Sequence, residues 1–393
     1  MKKMRVLLML ALAGTLVLGG CGGTGDTNEV LSPDDIVHTV TPGTEESESP
    51  DVTPSTEADT SKDNVVSEEP PTEGMVRSFL TGLWIEEADS ETRPIAVMFP
   101  TDKGSQPQYN IGAAGVLYEA MEEGGMSRQM GVIEGWQDME KIGNIRSGRD
   151  YYGYWAMEWD AFFVHWGGPF YLVELVERDE FENLTGSTIG TADVGAPATG
   201  NQAFWRSDPE NPNIHNGYTD GTSLKKNMNK LDYQLEHRDD YYVKDHFNFA
   251  SELNTLEDAP GVRDAEKIDL SKVFTTTRTS LQYNEEEGVY YKFLYGNAQV
   301  DEVTGEQLTF TNVIVQNTRW EYRPDNKYLK FHVVDNTMDG YYFTQGKCIP
   351  ITWEKESDYA PTRYYDKDGN EIELNPGKTF IAIAQEGRNV IFD

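Results

Sequence analysis

The sequence predicts an α+β protein in two parts, an N-terminal α/β layered part followed by a mainly β C-terminal part. Short apolar runs alternate with helical patterns between about residues 95 and 179. Strand-like, mostly alternating segments dominate from about residue 289 onward. Residues 252–271 are charged and lack a sustained apolar period, so they form the expected join. We therefore expect an N-terminal domain over 75–255 and a C-terminal domain over 265–393.

The N-terminal part contains three apolar runs that predict buried strands, over 95–99, 130–136 and 161–165. Between them, apolar residues at helical spacing predict a helix from about 113 to 121, ended by Gly124 and Gly125. A second helix is expected from Ser147 as N-cap to about residue 159. A third is expected from Pro169, which suits a first helical turn, to about residue 178. Parallel strand pairs are typical of this alternation.

The C-terminal part contains strand-like segments over 289–294, 308–315, 328–334, 340–344, 347–352 and 379–384. Asp368-Gly369 lies between two further apolar stretches, which is typical of a hairpin turn. Its acids have calcium-like spacing, but the glycine comes too early for an EF-hand loop. Residues 180–250 are rich in loop formers.

Residues 1–20 have the layout of a secretory signal peptide. Three cations, Lys2, Lys3 and Arg5, precede an apolar run of about thirteen residues, too short to cross a bilayer of roughly 30 Å. The run ends in Leu18-Gly19-Gly20-Cys21, which resembles the bacterial lipobox. This pattern predicts lipidation of Cys21 by diacylglyceryl and a further acyl chain such as palmitate, and anchoring at the extracytoplasmic face of the cell membrane. An ordinary signal peptide followed by a chance cysteine is the alternative.

The chain is strongly acidic, with 33 Lys and Arg against 67 Asp and Glu and a formal net charge of −34. Residues 22–74 carry fourteen acids and one base and contain no aromatic residue, so 21–74 is interpreted as a disordered acidic tether. The tether and the signal peptide leave −24 on residues 75–393. Because binding to phosphate backbones requires clustered cations, this charge excludes nucleic acid as a partner.

Cysteine and histidine usage predicts neither a cofactor nor a metal site. With Cys21 lipidated, Cys348 has no disulfide partner, and its apolar surroundings predict a buried hydrophobic side chain rather than a reactive thiol. The six histidines are scattered without zinc-ligand spacing. Nucleotide-binding P-loop and Gly-x-Ser-x-Gly signatures are absent from the sequence.

The densest polar constellation lies between residues 141 and 168 and contains Arg146, Arg149, Asp160 and His165. His165 is predicted at the C-terminal end of a strand, where open α/β sheets form ligand crevices. Guanidinium groups and free N–H donors near a helix start suit a carboxylate or phosphate. The alternative is that these residues form internal salt bridges that hold a loop.

A second polar point contains Arg206, His215 and Asn216 in a predicted loop, where functional side chains are common. If this loop folds over the crevice, His215 joins Arg146 and His165. Loop-stabilising hydrogen bonds are the alternative. A hydrolase that uses Glu158 or Asp160 with His165, the two arginines holding the substrate, is a further hypothesis.

These residues resemble the YerB-like bacterial lipoprotein family, known as domain of unknown function 3048 in N- and C-terminal parts. The resemblance rests on motifs spread over residues 90–390, namely Arg93-Pro94-Ile95-Ala96-Val97-Met98, Pro107-Gln108, Glu123-Gly124-Gly125, Ile142-Gly143, Arg146-Ser147, Arg149, His165, His215-Asn216, Asn312-Val313-Ile314-Val315-Gln316 and Leu374-Asn375-Pro376-Gly377. The family pattern has proline at Asn144 and alanine at Gly148. The resemblance implies two parts and membrane attachment, and it supplies no reaction.

The leading hypothesis is a membrane-anchored binding or accessory lipoprotein of uncharacterised activity. Its expected partners are the membrane, through lipidated Cys21, and an envelope glycan, an anionic small molecule or a membrane protein. The candidate ligand-binding residues are Arg146, Arg149, Asp160, His165, His215 and Asn216.

Overall fold

The protein is described by a computed structural model that covers residues 69–208, 215–325 and 327–393. The predicted signal peptide, Cys21 and most of the predicted tether lie outside these residues. All described residues fall in one unit of contacting chain, 59–393. No helix among them is both long and apolar enough to cross a membrane.

Among its described residues, the N-terminal part forms twelve strands and four α-helices. The strands are β1 (Met75–Arg77), β2 (Trp84–Glu86), β3 (Ile95–Pro100), β4 (Val116–Met121), β5 (Ser127–Ile133), β6 (Ile142–Gly143), β7 (Phe162–His165), β8 (Asn183–Thr185), β9 (Ile189–Gly190), β10 (Gly195–Ala196), β11 (Trp205–Arg206) and β12 (Gly217–Thr219). The helices are α1 (Glu87–Glu91), α2 (Asp150–Met157), α3 (Val173–Val176) and α4 (Gly221–Lys230). Five 3₁₀ turns lie at Lys103–Ser105, Ile111–Ala113, Glu123–Gly125, Phe170–Leu172 and Asn201–Ala203.

In the described residues of the C-terminal part, the regular elements are all strands. They are β13 (Arg263–Asp264), β14 (Lys267–Asp269), β15 (Ser280–Asn284), β16 (Val289–Leu294), β17 (Asn297–Ala298), β18 (Thr309–Phe310), β19 (Asn312–Thr318), β20 (Trp320–Tyr322), β21 (Leu329–Phe331), β22 (Asp335–Thr344), β23 (Lys347–Lys355), β24 (Arg363–Tyr365), β25 (Thr379–Gln385) and β26 (Ile391–Phe392). The α+β class in two parts is therefore confirmed, and strands predominate in both parts.

An eleven-stranded mixed sheet contains strands of both parts, in the order β13-β23-β22-β19-β25-β4-β5-β3-β7-β8, with β24 on β23. The two parts meet where β25 pairs with β4 in parallel, with Thr379 opposite Val116 and Ile383 opposite Ala120. A second sheet of six strands has the order β17-β16-β15-β14-β26, with β18 on β16. The predicted boundaries at 255 and 265 stay predictions.

The predicted helix over 113–121 is wrong, because residues 116–121 form strand β4. All six side chains of β4 are buried, since both faces of the sheet are covered. A strand buried on both faces loses its polar alternation, and apolar residues then fall at helical spacing by coincidence. Gly124 and Gly125 lie instead in the turn before β5.

The predicted N-cap of the second helix is also wrong. The cap of α2 is Arg149, with extended backbone and no capping side-chain hydrogen bond. Strands β3, β7, β16 and β25 were predicted within about a residue of their observed bounds. The turn at Asp368-Gly369 is confirmed, because the Asp366 carboxylate accepts N–H bonds from Asp368 and Asn370 at 2.8 and 2.9 Å.

Strand β4 directs one polar side chain to each face of the sheet, Tyr118 to one face and Glu119 to the other. On one face, the Tyr118 hydroxyl donates to Glu158 at 2.6 Å, and Glu158 pairs with Lys355 of the C-terminal part at 3.2 Å. On the other face, Glu119 pairs with Lys292 at 2.9 Å. Burial lowers the pKa of both lysines, and each paired carboxylate opposes that shift. Burial alone raises the pKa of Glu158, but Lys355 and His246 outweigh it and hold that pKa below its ordinary value.

The variant Lys355→Met should lower the free energy of unfolding by about 3–5 kcal/mol, because it leaves the Glu158 carboxylate buried without its cation. The double variant Glu158→Gln/Lys355→Met should recover much of this loss, as measured by urea unfolding. The matched control is Lys330→Met, since Lys330 is 47 % exposed in its pair with Glu321 and should cost less than about 1 kcal/mol. Equal effects of the two single variants would contradict the prediction.

Candidate functional site

A small sheet of β11, β12 and β6 positions the segment that contains Arg146. Tyr218 of β12 pairs with Gly143 on one side and with Trp205 on the other. A side chain at Gly217 would meet the Trp166 ring at 2.7 Å, so this position accommodates only glycine without movement. Beyond the sheet, Arg146 donates its N–H to Met98 and accepts from Trp166, each at 2.9 Å. The Arg146 backbone is thereby tied to the ends of β3 and β7.

Arg146 and His215 lie together at a partly exposed corner of the molecule. Burial lowers the pKa of His215 below its ordinary value, and the neighbouring Arg146 charge lowers it further. The Asp102 carboxylate, in the loop after β3, opposes this shift. The imidazole of His215 is therefore neutral near pH 7 and can donate through one ring nitrogen while accepting through the other.

Two amide oxygens beside this corner accept no hydrogen bond among the described residues. Asn144 donates its side-chain N–H to the Ser105 carbonyl at 3.2 Å, while its Oδ1 accepts nothing. Gln106, in the same loop as Ser105, has a buried Oε1 in the same condition. A buried acceptor without a donor costs about 1–3 kcal/mol, so each is a place for a hydroxyl of a ligand or water. We call Asp102, Gln106, Asn144, Arg146 and His215 the Arg146–His215 site.

Asn216 adjoins this site through Arg206. The Arg206 guanidinium donates to Asn216 Oδ1 at 2.8 Å and stacks on the Trp166 ring, 4.5 Å from its centroid. Asn216 in turn donates to the Asp208 carbonyl at 3.2 Å. The Asn216 side chain therefore holds Arg206 and Asp208 beside it through hydrogen bonds. These contacts support the alternative of loop-stabilising hydrogen bonds.

Arg149 occupies a buried ion-pair network. Its guanidinium contacts Glu122 at 3.0 Å and Glu123 at 2.5 Å. Burial alone lowers the pKa of Arg149, but the two carboxylates outweigh it and raise that pKa above its ordinary value. Arg128, which the sequence analysis missed, shares Glu122 at 2.6 Å and donates to the Ser147 carbonyl at 2.5 Å. These contacts hold the start of α2 against the turn before β5.

Asp160 lies in a second buried network, away from the exposed corner. Its carboxylate contacts Arg238 at 2.6 Å and Arg93 at 3.3 Å. His237 lies 3.7 Å from the same carboxylate. Burial alone raises the pKa of Asp160, but His237, Arg93 and Arg238 outweigh it and lower that pKa. The carboxylate therefore compensates structural cations.

His165 is fully buried at the end of β7, as the strand prediction placed it. Its Nδ1 lies 2.8 Å from the Gly167 carbonyl, and its Nε2 lies 3.3 Å from Asn183 Oδ1. The ring stacks on Phe163 with centroids 4.8 Å apart. Burial lowers the pKa of His165 to about 4. A neutral ring has one N–H and donates it to one of these two oxygens. Full burial and this contact favour a structural role for His165.

The predicted site residues thus separate into two groups. The structure brings Arg146 and His215 together, with Asn216 as a support, and it places Arg149, Asp160 and His165 in buried contacts. Sequence reasoning missed Gln106 and Asn144, although both lie next to motif residues. Glu158, the other predicted carboxylate of a hydrolase, belongs to the buried pair with Lys355. Cys348 is buried, and burial raises the pKa of its thiol to about 12, which suits a hydrophobic role.

The fold and these contacts define a two-part protein with one shared mixed sheet and an exposed arginine–histidine site. Residues 80–234 match a family model described as "Protein of unknown function (DUF3048) N-terminal domain". Residues 269–381 match the corresponding C-terminal domain. The chain belongs to this family, the YerB-like proteins.

Two comparisons extend this result to a relative in Bacillus subtilis. The chain is 24 % identical over 319 residues to "Putative lipoprotein YerB" of strain 168, which covers 81 % of this chain and 88 % of the relative. It is similar to the crystal structure of the YerB protein from Bacillus subtilis, with a TM-score of 0.65 and 21 % identity over 80 % of this chain and 99 % of that one. At this identity the structural likeness shows the fold.

His165 should make the protein sensitive to acid. Because its pKa of about 4 in the folded state lies below that of an unfolded histidine, near 6.5, its stabilisation is full above pH ~6.5 and declines as the pH falls towards 4. Between pH 7.5 and 4, the wild type should lose about 3 kcal/mol more unfolding free energy than His165→Gln, measured by urea unfolding. In NMR titrations, the His165 ring signals should not shift above pH ~5.5. A ring that titrates near 6.5 would contradict this prediction.

Proposed function

We propose that the protein is a lipid-anchored, extracytoplasmic binding protein for an anionic, sugar-bearing ligand of the cell envelope, held at the Arg146–His215 site. One observation carries this proposal, namely a partly exposed guanidinium and a partly exposed neutral imidazole beside two buried acceptors that lack donors among the described residues. Arg146 would bind a carboxylate or phosphate by charge-assisted hydrogen bonds. Sugar hydroxyls would donate to Asn144 Oδ1 and Gln106 Oε1.

The negative charge of the protein means that an anionic ligand is bound by specific contacts at one place and not by a general electrostatic attraction. Residues 75–393 carry −24, so an anionic polymer is repelled over most of the surface. Binding therefore requires a local group of donors, and Arg146, with Arg206 nearby, supplies guanidinium groups for it. A small anion and an anionic glycan are both compatible with these donors. The orphan acceptors favour a ligand that carries hydroxyl groups.

A protein partner and a hydrolase are the other functions that the sequence raised. The hydrolase hypothesis uses Arg146, Arg149 and His165 with a carboxylate. In the structure Arg149 is paired with Glu122 and Glu123, and His165 is fully buried beside the Gly167 carbonyl and Asn183 Oδ1. These contacts favour binding over hydrolysis at this place.

Membrane attachment is supported by the lipobox-like segment and by the name of the relative, "Putative lipoprotein YerB". The Cys21→Ala variant should lose incorporation of labelled palmitate and should leave the membrane fraction, because the thiol that receives the diacylglyceryl group at position 21 is removed. Cys348→Ala is the matched control, since the sequence contains two cysteines, and it should keep the label. Retention of label by Cys21→Ala would contradict lipidation at this residue.

Arg146→Gln should weaken ligand retention at least tenfold, since a charge-assisted hydrogen bond contributes about 1.5–3 kcal/mol and 1.4 kcal/mol corresponds to tenfold. The full-length protein is immobilised, fractionated envelope carbohydrate is passed over it, and retained material is quantified and identified by mass spectrometry. The matched control is Arg388→Gln, which removes an exposed guanidinium outside the site and should behave as wild type. Equal retention by both variants, or retention of neutral carbohydrate alone, would refute the proposal.

A further inference from the structure

A groove of about 450 Å³ lies between α2, the Phe170–Val176 segment and the end of β20. It shares no residue with the Arg146–His215 site. Its wall is aromatic and includes Tyr154, Phe170 and Tyr171, and the last two have ring centroids 5.9 Å apart. Phe170 is 41 % exposed, although it is a large apolar side chain. An exposed ring at the mouth of a groove is typical of a binding surface.

Asp150 forms the floor of this groove. One of its carboxylate oxygens, Oδ2, pairs with Arg323, whose guanidinium stacks 3.9 Å from the Tyr171 centroid. The other oxygen, Oδ1, is buried and accepts no hydrogen bond among the described residues. The Asp150 side chain is 14 % exposed. Burial raises the pKa of Asp150, and Arg323 opposes this shift. The fold therefore leaves one buried acceptor in need of an N–H donor.

The rim of the groove adds two further acids. Glu174 and Glu177 are exposed on and just after α3, and neither joins an ion pair among the described residues. With Asp150 the groove carries three carboxylates against the single guanidinium of Arg323. A ligand that complements it is therefore cationic and has an apolar stem for the aromatic wall.

We propose that this groove binds a lysine or arginine side chain from a basic segment of a partner protein. The ammonium or guanidinium donates an N–H bond to the Asp150 carboxylate, whose side chain is 14 % exposed, and its alkyl stem packs against Tyr154 and Phe170. Further cations of the segment lie near Glu174 and Glu177. A quaternary ammonium also suits aromatic rings, but it has no N–H to donate, so the carboxylate selects against it.

The test uses the full-length protein and a fluorescein-labelled peptide of three Lys-Ala repeats, with fluorescence anisotropy at physiological salt. The main variants change two exposed residues of the groove, Phe170 and Glu174, so that folding is preserved. Phe170→Ala should weaken binding at least fivefold and Glu174→Gln about two- to threefold. Asp150→Asn should weaken binding at least tenfold, with its fold checked by circular dichroism.

Any polycation is attracted to a protein of this charge, so the matched control is Glu286→Gln, which removes one exposed carboxylate from the turn between β15 and β16. It should leave binding unchanged. The proposal is overturned if Glu286→Gln weakens binding as much as Glu174→Gln, or if Phe170→Ala has no effect. It is also overturned if a Gln-Ala or trimethyllysine-Ala peptide binds as tightly, or if wild type does not bind at about 1 mM peptide.

Discussion

The parallel pairing of β4 with β25 is the contact on which the rest of the molecule depends. It joins a strand of the N-terminal part to a strand of the C-terminal part at the centre of the large sheet. Both strands are buried, so the adjacent residues Tyr118 and Glu119 must direct polar atoms into the interior on opposite faces. The Tyr118 hydroxyl donates to Glu158, which pairs with Lys355 of the C-terminal part. Glu119 pairs directly with Lys292 of the same part. Without the other part, β4 and β25 each lose a neighbouring strand, and the buried carboxylates Glu119 and Glu158 lose their paired lysines.

This central contact also determines where exposed chemistry can occur. The N-terminal part has its strands β5, β3, β7 and β8 on the far side of β4. Arg146 lies in the segment between β6 and α2, and its backbone bonds to Met98 of β3 and to Trp166 just after β7 hold it at a partly exposed position. Near the centre of the sheet, in contrast, charged side chains form ion pairs between the two parts. Glu158 is the clearest case, because Tyr118, Lys355 and Thr362 occupy both of its oxygens. A carboxylate with these contacts and a fully buried side chain stabilises the structure and is closed off from a substrate.

Sequence patterns predicted the two-part class and, in the C-terminal part, strands such as β16 and β23, because one face of these strands is partly exposed and the alternation survives. They failed at β4, where burial on both faces removes the alternation. They located His165 at a strand end correctly, but they could not show that Gly167 and Asn183 engage its ring. Proximity between Arg146 and His215 depends on the pairing of β6 with β12, whose short strands have no strong pattern in sequence. Contacts of high sequence separation were therefore the part that required a structure.

The Arg146–His215 site and the groove above Asp150 call for ligands of opposite charge. At the Arg146–His215 site the fold provides a cation and leaves two acceptors, Asn144 Oδ1 and Gln106 Oε1, without donors. In the groove above Asp150 it provides aromatic walls and leaves a carboxylate oxygen without a donor. Buried acceptors without partners cost stability, and a protein retains such a cost most readily where a ligand or water relieves it. The charge of −34 did not distinguish these places, since it is a sum over many paired groups. What distinguishes them is the hydrogen-bonding capacity that the fold leaves unused.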